Sequence, residues 1–162
     1  MDASVNRIAS SADERALLVA VSIKHSDPVD IAYSLEELKL LVKTAGGIVV
    51  DSVTVRRDGF DPAYIVGTGY LEKIRKLITE HNLRLVVFDL NNIKPAQIRN
   101  LEEELKCRVV GRNEIILDIF ARRARSAEAK IQVELAQLRY ILPRLKGLGE
   151  VLSRLDDGIG TR

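Results

Sequence analysis

The sequence has little of several residue types on which protein chemistry commonly depends. Its 162 residues include one cysteine, two histidines and no tryptophan. The single Cys107 excludes an internal disulfide and a metal site built from several cysteines. His25 and His81 are isolated, and no Ser/His/Asp set or metal-ligand spacing occurs. We therefore expect neither a metal nor a catalytic residue in this chain.

Long apolar runs and targeting signals are also missing. No apolar stretch approaches the roughly 20 residues that span a bilayer. The first 13 residues lack the basic start and the apolar stretch of a secretory signal. These absences predict a cytoplasmic protein with no membrane span.

Positive charge is unevenly distributed, although the formal net charge is only +2. Residues 1–106 carry 14 Lys and Arg against 16 Asp and Glu, a net of −2, whereas residues 107–162 carry 11 against 7, a net of +4. A near-neutral body with a basic C-terminal part indicates a polyanion as partner, because Lys and Arg displace counterions from phosphates. A solvated helix face explains the same charges without a partner.

Apolar runs alternate with segments of helical period, which is typical of an α/β fold with a parallel sheet. Predicted strands cover residues 17–21, 48–55, 85–88 and 107–110, with a brief extended piece at 64–66. Predicted helices include one opened by a capping box at Ser34 and closed at Gly46, one over residues 70–80, and one with Pro95 in its first turn. We expect a disordered N-terminus over residues 1–15, a small parallel sheet flanked by helices over 16–112, and a helical arm over 113–162.

The arm carries a regular apolar stripe, the seam, whose members follow spacings of four, three, four and three as in a coiled coil: Ile131, Leu135, Leu138, Leu142 and Leu145. We expect its helix to begin at an N-cap, Ser126, and to end near Lys146, before Gly147 and Gly149. Five such side chains require a partner, and the sequence ends at Arg162 without a second helix. The arm is therefore predicted to be half of an antiparallel helical hairpin. Three outcomes are open for its helix in this chain: it folds back on the body, it pairs with a second copy, or it frays beyond Ser126.

Cations and small residues of the C-terminal part are the candidates for contact with RNA. A basic helix followed by small residues suits a narrow RNA cleft. Tyr140 is its one aromatic residue, so contact with the RNA backbone is favoured over base stacking. The candidate RNA-binding and ribosome-binding residues are Arg122, Arg123, Arg125, Lys130, Arg144, Lys146, Ser153, Arg154, Gly158, Gly160 and Arg162.

One glycine-rich turn is a candidate for binding phosphate. Gly67, Thr68 and Gly69 precede a predicted helix, whose N-terminus offers free N–H groups. The turn is neither a dinucleotide fingerprint nor a Walker loop, because the third glycine and the Gly-Lys-Ser/Thr sequence are both missing. A tight turn explains both glycines without a ligand. A nucleotide-binding α/β enzyme that uses this turn and Asp89, at the end of a central strand, remains the alternative.

Several pieces of the sequence, taken in order, resemble the N-terminal region of the HflX family of ribosome-associated GTPases. The resemblance covers about residues 16–162. The pieces are Tyr64-Ile-Val-Gly-Thr-Gly69, Phe88-Asp89, Arg99-Asn-Leu-Glu102, Leu117-Asp-Ile-Phe-Ala121, Gln132-Val-Glu-Leu-Ala-Gln-Leu138, Tyr140, Leu142-Pro-Arg-Leu145, Leu152-Ser-Arg154 and Gly158-Ile-Gly-Thr-Arg162. The sequence departs from the family pattern at Tyr70, where a lysine is common.

In that family an α/β subdomain is followed by an antiparallel helical hairpin and then by a P-loop G domain. The resemblance implies binding to the large ribosomal subunit and its RNA, with the hairpin tip toward the peptidyl transferase centre, and a part in separating or rescuing ribosomes. It also implies the G domain of the parent protein as a partner. GTP and Mg²⁺ belong to that G domain, so we expect no cofactor in this chain and no GTPase activity from it alone.

Overall fold

The computed structural model describes residues 14–158, of which residues 144–158 are described by their backbone alone. Four strands and five helices follow one another in these residues. They are β1 (Arg15–Ile23), α1 (Pro28–Thr44), β2 (Ile48–Arg57), α2 (Thr68–Glu80), β3 (Leu85–Phe88), α3 (Pro95–Leu105), β4 (Arg108–Val110), α4 (Arg112–Arg123) and α5 (Ala127–Gly158). None of the helices in the described residues is both long and apolar enough to cross a membrane.

The four strands form one sheet in the order β2-β1-β3-β4. All neighbours are parallel; Val19 of β1, for example, is in register with Val53 of β2 and Phe88 of β3. The predicted parallel sheet is thereby confirmed. Its order is that of a doubly wound α/β fold, in which helices cover both faces of the sheet.

Two apolar clusters hold the sheet between its helices. One face packs against α2 and α3, and the other packs against α1 and α4. The two central strands contribute to both clusters because successive side chains of a strand point to opposite faces. Leu17 and Leu18, on opposite faces of β1, are both fully buried. This explains why β1 and β3 read as continuous apolar runs in the sequence.

The first helix begins earlier than its predicted capping box. Asp27 is the N-cap of α1, and its Oδ1 accepts a hydrogen bond from the Val29 N–H at 2.8 Å. Pro28 occupies the first helical turn, where its fixed φ suits a helix and no N–H is needed. The prediction of a start at Ser34 was wrong, because Ser34 lies inside the helix already opened by Asp27 and Pro28.

The predicted extended piece at residues 64–66 adds no strand to the sheet. Ile65 and Asp61 instead form an isolated antiparallel bridge, with hydrogen bonds of 2.9 and 3.0 Å between their backbones. Ile65 has a φ of +67° and is buried. These residues form a compact turn between β2 and α2.

The body extends further along the chain than predicted. The chain divides into two compact units, with the boundary between Arg123 and Ala124. Helix α4 was predicted to belong to the arm, but Ile115 and Ile119 bury its apolar face in the core of the α/β unit. Arg15, predicted to be disordered, begins β1. Residues 1–13 lie outside the described residues.

Helix α5 is longer than predicted. Ser126 caps it, as expected, by accepting the Ala129 N–H at 3.0 Å. The predicted end near Lys146 was wrong, because α5 contains 32 residues and continues to Gly158. At 1.5 Å per residue its length is about 48 Å. Each interior glycine weakens a helix by about 1 kcal/mol, which does not by itself end one.

Candidate nucleic-acid interface

Arg122 closes α4 and is already engaged within the α/β unit. Its Nε donates to Asp118 Oδ2 at 3.1 Å, and its guanidinium lies over Gly46. A Cβ at Gly46 would come within 3.0 Å of Arg122 Nη1, and Gly46 has a φ of +88°. Part of the charge of this predicted RNA contact is therefore neutralised by Asp118.

The other described cations of the candidate set are exposed. Arg123 lies at the end of α4 in the α/β unit, whereas Arg125, just before α5, and Lys130, in its first turn, lie in the second unit. In the part of the chain whose side chains are described, none of the three forms an ion pair. Exposed Arg139, further along α5, shares this property. These four side chains are accessible to a polyanion.

The remaining predicted contacts are residues that the structure describes by their backbone alone or does not describe. Gly158 is the last residue of α5, and Gly160 and Arg162 lie outside the described residues. The side chains of Arg144, Lys146, Ser153 and Arg154 also lie outside them.

The seam of α5 is exposed over its described length. The exposed fractions are 65% for Ile131, 44% for Leu135, 50% for Leu138 and 55% for Leu142; the side chain of Leu145 is not among those described. Four large apolar side chains in one line mark an interaction surface, because isolated soluble domains seldom expose such a patch without a partner.

The predicted phosphate turn has a structural explanation. Gly67 is the N-cap of α2 with a φ of +77°, a conformation that favours glycine. Arg57 Nη1 donates to the Val66 carbonyl at 2.8 Å, and a Cβ on Gly67 would overlap this guanidinium. Gly69 has open space where a Cβ would be. The space beside Gly67 is thus occupied by a side chain of the protein.

This difference between the two glycines is testable. We expect Gly67→Ala to lower the free energy of unfolding by about 2 kcal/mol, because it forces an L residue into a left-handed conformation and against Arg57. Gly69→Ala, the matched control, should be neutral or stabilise α2 by up to about 1 kcal/mol. Urea unfolding of both variants measures the two values. Equal effects would show that Arg57 does not restrict the turn.

Asp89, the other residue of the nucleotide-binding alternative, is held by an ion pair. Its Oδ1 accepts from Arg112 Nε at 2.8 Å, and Arg112 also donates to Glu37 Oε1 at 3.1 Å and to the Ser34 carbonyl at 3.0 Å. Burial alone lowers the pKa of Arg112, but the hydrogen bonds and charges of Asp89 and Glu37 raise it above its ordinary value. Arg112 therefore joins Asp89, at the end of β3, to α1, which leaves Asp89 poorly suited to binding a nucleotide.

A second buried carboxylate belongs to α4. Asp118 is 2% exposed, and its Oδ1 has no hydrogen-bond partner. Burial raises the pKa of nearby Glu14, the charge of Arg108 lowers it, and the charge of Asp118 raises it, with a net increase. Because the folded pKa of Glu14 exceeds the unfolded one, ionisation of Glu14 opposes folding once the pH rises through these pKa values.

Glu14→Gln should therefore stabilise the protein at pH 7. The gain should disappear as the pH falls below the unfolded pKa, where Glu14 is protonated in both states. Thermal unfolding between pH 3.5 and pH 7 measures it, and Glu36→Gln on the exposed side of α1 is the control. A loss of stability at pH 7 would show that the attraction of Arg108 outweighs the burial of Glu14.

The described residues offer no other evident reactive group. They contain no cluster of three or more His, Cys, Asp or Glu side chains that is able to hold a metal ion. Burial raises the pKa of the Cys107 thiol to about 11, and its Sγ–H donates to the Leu83 carbonyl at 3.9 Å. Cys107 is thus a protonated residue of the core.

One feature was missed from the sequence. A cleft of about 750 Å³ lies at the C-terminal ends of β1 and β2, beside the first half of α1. Lys24 and His25 follow β1, and Arg56 and Arg57 end β2. The signal was present as two basic pairs, each within a few residues after a predicted strand. Only the pairing of β1 with β2 places the two pairs together.

The fold and these surfaces define a class of protein: a doubly wound α/β domain that is followed by a separate unit with a long, apolar-striped helix. Comparison with known proteins assigns the family. Residues 32–121 match the family described as GTP-binding GTPase N-terminal, and residues 123–162 match GTP-binding GTPase middle region. The chain belongs to the HflX family of GTP-binding proteins, of which it carries the N-terminal and middle regions.

Individual relatives support this assignment. The chain is 50% identical over 150 residues to "GTPase HflX" of Lacrimispora saccharolytica and 40% identical over 151 residues to that of Escherichia coli; each match covers 93% of the chain. It spans only 35% and 34% of those proteins, about a third of their length. A solved GTP-binding protein from Sulfolobus solfataricus in complex with GDP is 25% identical, with a TM-score of 0.64, over 85% of this chain and 40% of that one.

Proposed function

We propose that this chain is a ribosome-binding region of an HflX-type GTP-binding protein, and that it contacts the RNA of the large ribosomal subunit in the cytoplasm. The observation that carries the proposal is the set of exposed cations without ion pairs in the described residues, namely Arg123, Arg125, Lys130 and Arg139. Phosphate contacts supply most of the sequence-independent affinity of a protein for nucleic acid. Arg122 contributes less, because Asp118 partly neutralises it.

The length and surface of α5 fit this role. A helix of about 48 Å is long enough to reach into a large RNA assembly from its surface. Its described cations Lys130 and Arg139 flank the seam on opposite sides of the helix, and the seam offers a separate surface for a second helix. In a longer protein we expect that second helix, and a G domain that binds GTP and Mg²⁺, to accompany the present chain. GTP hydrolysis and the separation or rescue of ribosomes would then require that domain.

Charge reversal on α5 tests the proposal. The double variant Lys130→Glu and Arg139→Glu should weaken binding to purified large subunits at least tenfold, because two phosphate contacts become repulsive. The control is Lys73→Glu with Lys76→Glu, which reverses two exposed cations of α2 in the α/β unit. Co-sedimentation measures both affinities. An unchanged affinity for the α5 variant, or an equal loss for both variants, would contradict a role for α5.

A further inference from the structure

The cleft beside α1 has walls of two kinds. Ile31 and Leu35 of α1 form an apolar wall. Thr54 and Arg56 of β2 form the opposite wall, because their side chains point to the face of the sheet that α1 covers only in part. Helix α1 buries only Leu38 and Val42, in its second half. The first half of α1 therefore leaves the sheet open, with room of about 750 Å³.

Positive charge dominates the mouth of this cleft. Lys24 and Arg56 are exposed and form no ion pair in the described part of the chain. Asp58 is the one carboxylate among the lining residues. Arg57 is held away by hydrogen bonds to the Gly59 carbonyl at 3.1 Å and the Val66 carbonyl at 2.8 Å. Lys24 and Arg56 are thus the two cations available to an anionic ligand.

The N-terminus of α1 is not the source of this attraction. Asp27 caps it, with its carboxylate on the Val29 N–H, so the first free donor of the helix is already used. An anion in the cleft would instead be bound by the two side-chain cations, and Thr54 also lines the cleft.

The backbone that carries these cations is fixed. The Ser26 N–H donates to the Ile23 carbonyl at 2.8 Å, and the Ile23 N–H donates to Ser26 Oγ at 3.1 Å. The Lys24 N–H donates to the Arg57 carbonyl at 3.1 Å, which joins the end of β1 to the end of β2. His25 is held at a φ of +83°. Strained non-glycine residues persist where the surrounding structure fixes them, which is common at binding sites.

We propose that this cleft binds an unpaired nucleotide of an RNA strand. Lys24 and Arg56 contact its phosphate, and the base lies against Ile31 and Leu35. Proteins recognise RNA most often at unpaired nucleotides whose bases are turned out of the helix. His25 carries the one aromatic ring among the lining residues, so binding depends on the phosphate more than on stacking. The inference rests on the proposed function in that RNA is the partner, and it adds a contact in the α/β unit.

A labelled single-stranded hexauridylate is the probe, used with the full chain. The double variant Lys24→Glu and Arg56→Glu should weaken its binding at least tenfold and reduce the salt slope by about 0.7, since the two cations neutralise one phosphate and each neutralised phosphate of a single strand contributes about 0.7. Lys24→Gln with Arg56→Gln, a milder pair, should lower the slope to the same extent without repulsion. Lys73→Glu with Lys76→Glu should leave slope and affinity unchanged.

Three results would overturn the inference: no binding of hexauridylate by the wild type, equal binding by wild type and cleft variants, or binding of uridine monophosphate as tight as that of the hexamer. The last would make the cleft a site for a small nucleotide. The proposed function fails separately, through an absence of binding to large subunits. Loss of subunit binding only in the α5 variant, with hexamer binding unaffected in all variants, would retain the proposed function and reject the cleft.

Discussion

Replacing Arg112 with methionine is expected to lower the free energy of unfolding by about 3 kcal/mol or more. The substitution keeps an apolar stem of similar length but leaves Asp89, whose side chain is 5% exposed, without its cation. A buried charge that loses its partner typically destabilises a protein by about 3–5 kcal/mol. The backbone contact of Arg112 to Ser34 is lost as well.

Arg75→Met provides the matched control. Arg75 pairs with Glu104 at 2.7 Å, but both side chains are more than 40% exposed. Exposed ion pairs contribute about 0–1 kcal/mol, so this variant should unfold almost as the wild type does. Urea titrations compare the two, and Asp89→Asn in the Arg112→Met background should recover part of the loss. Equal, small effects for both arginines would show that the Asp89 carboxylate is solvated.

The second large effect concerns the seam of α5. We expect the 162-residue chain to self-associate through an antiparallel pair of α5 helices, because the heptad spacing of Leu135 and Leu142 suits a helix partner. Leu135→Glu with Leu142→Glu should convert the dimer to a monomer, since it places two carboxylates in an apolar interface. Light scattering over a range of concentrations measures the change.

A control on the same helix separates charge from position. Gln132→Glu introduces the same residue at an exposed site outside the seam, and it should leave the dimer intact, whereas Leu135→Glu alone should weaken it. A wild-type chain that is monomeric at high concentration, with amides of α5 protected from hydrogen exchange, would contradict self-association and favour folding back on the body.

The sheet was predictable because its strands carry their own signal. Residues 85–88 form an uninterrupted apolar run, and both faces of such a strand must be buried. The start of α1 was predicted wrongly at Ser34, because the capping-box pattern there lies inside a helix that Asp27 and Pro28 open earlier. The place of α4 was missed for another reason: helical period shows that Ile115 and Ile119 share a face, but not which surface that face covers.

The candidate interface was predictable only in its charges. The sequence showed that Arg122 is basic, but not that Asp118, four residues earlier, shares its charge. Gly67 gave a correct signal for a tight turn, whereas its neighbour Arg57 comes from a strand ten residues away. The cleft depends on the parallel register of β1 and β2, which brings Lys24 beside Arg57; the sequence alone does not contain that register.

Binding of the unmodified chain to ribosomal subunits tests the central claim most directly. Purified large and small subunits are sedimented with the chain at 50 and 200 mM salt. We predict preferential binding to large subunits, with an affinity that falls on the order of 100-fold over this range if about four phosphates are contacted, at a slope near −0.9 for each. Absence of binding at 50 mM salt, or affinity that does not change with salt, would contradict an RNA-led interaction with the large subunit.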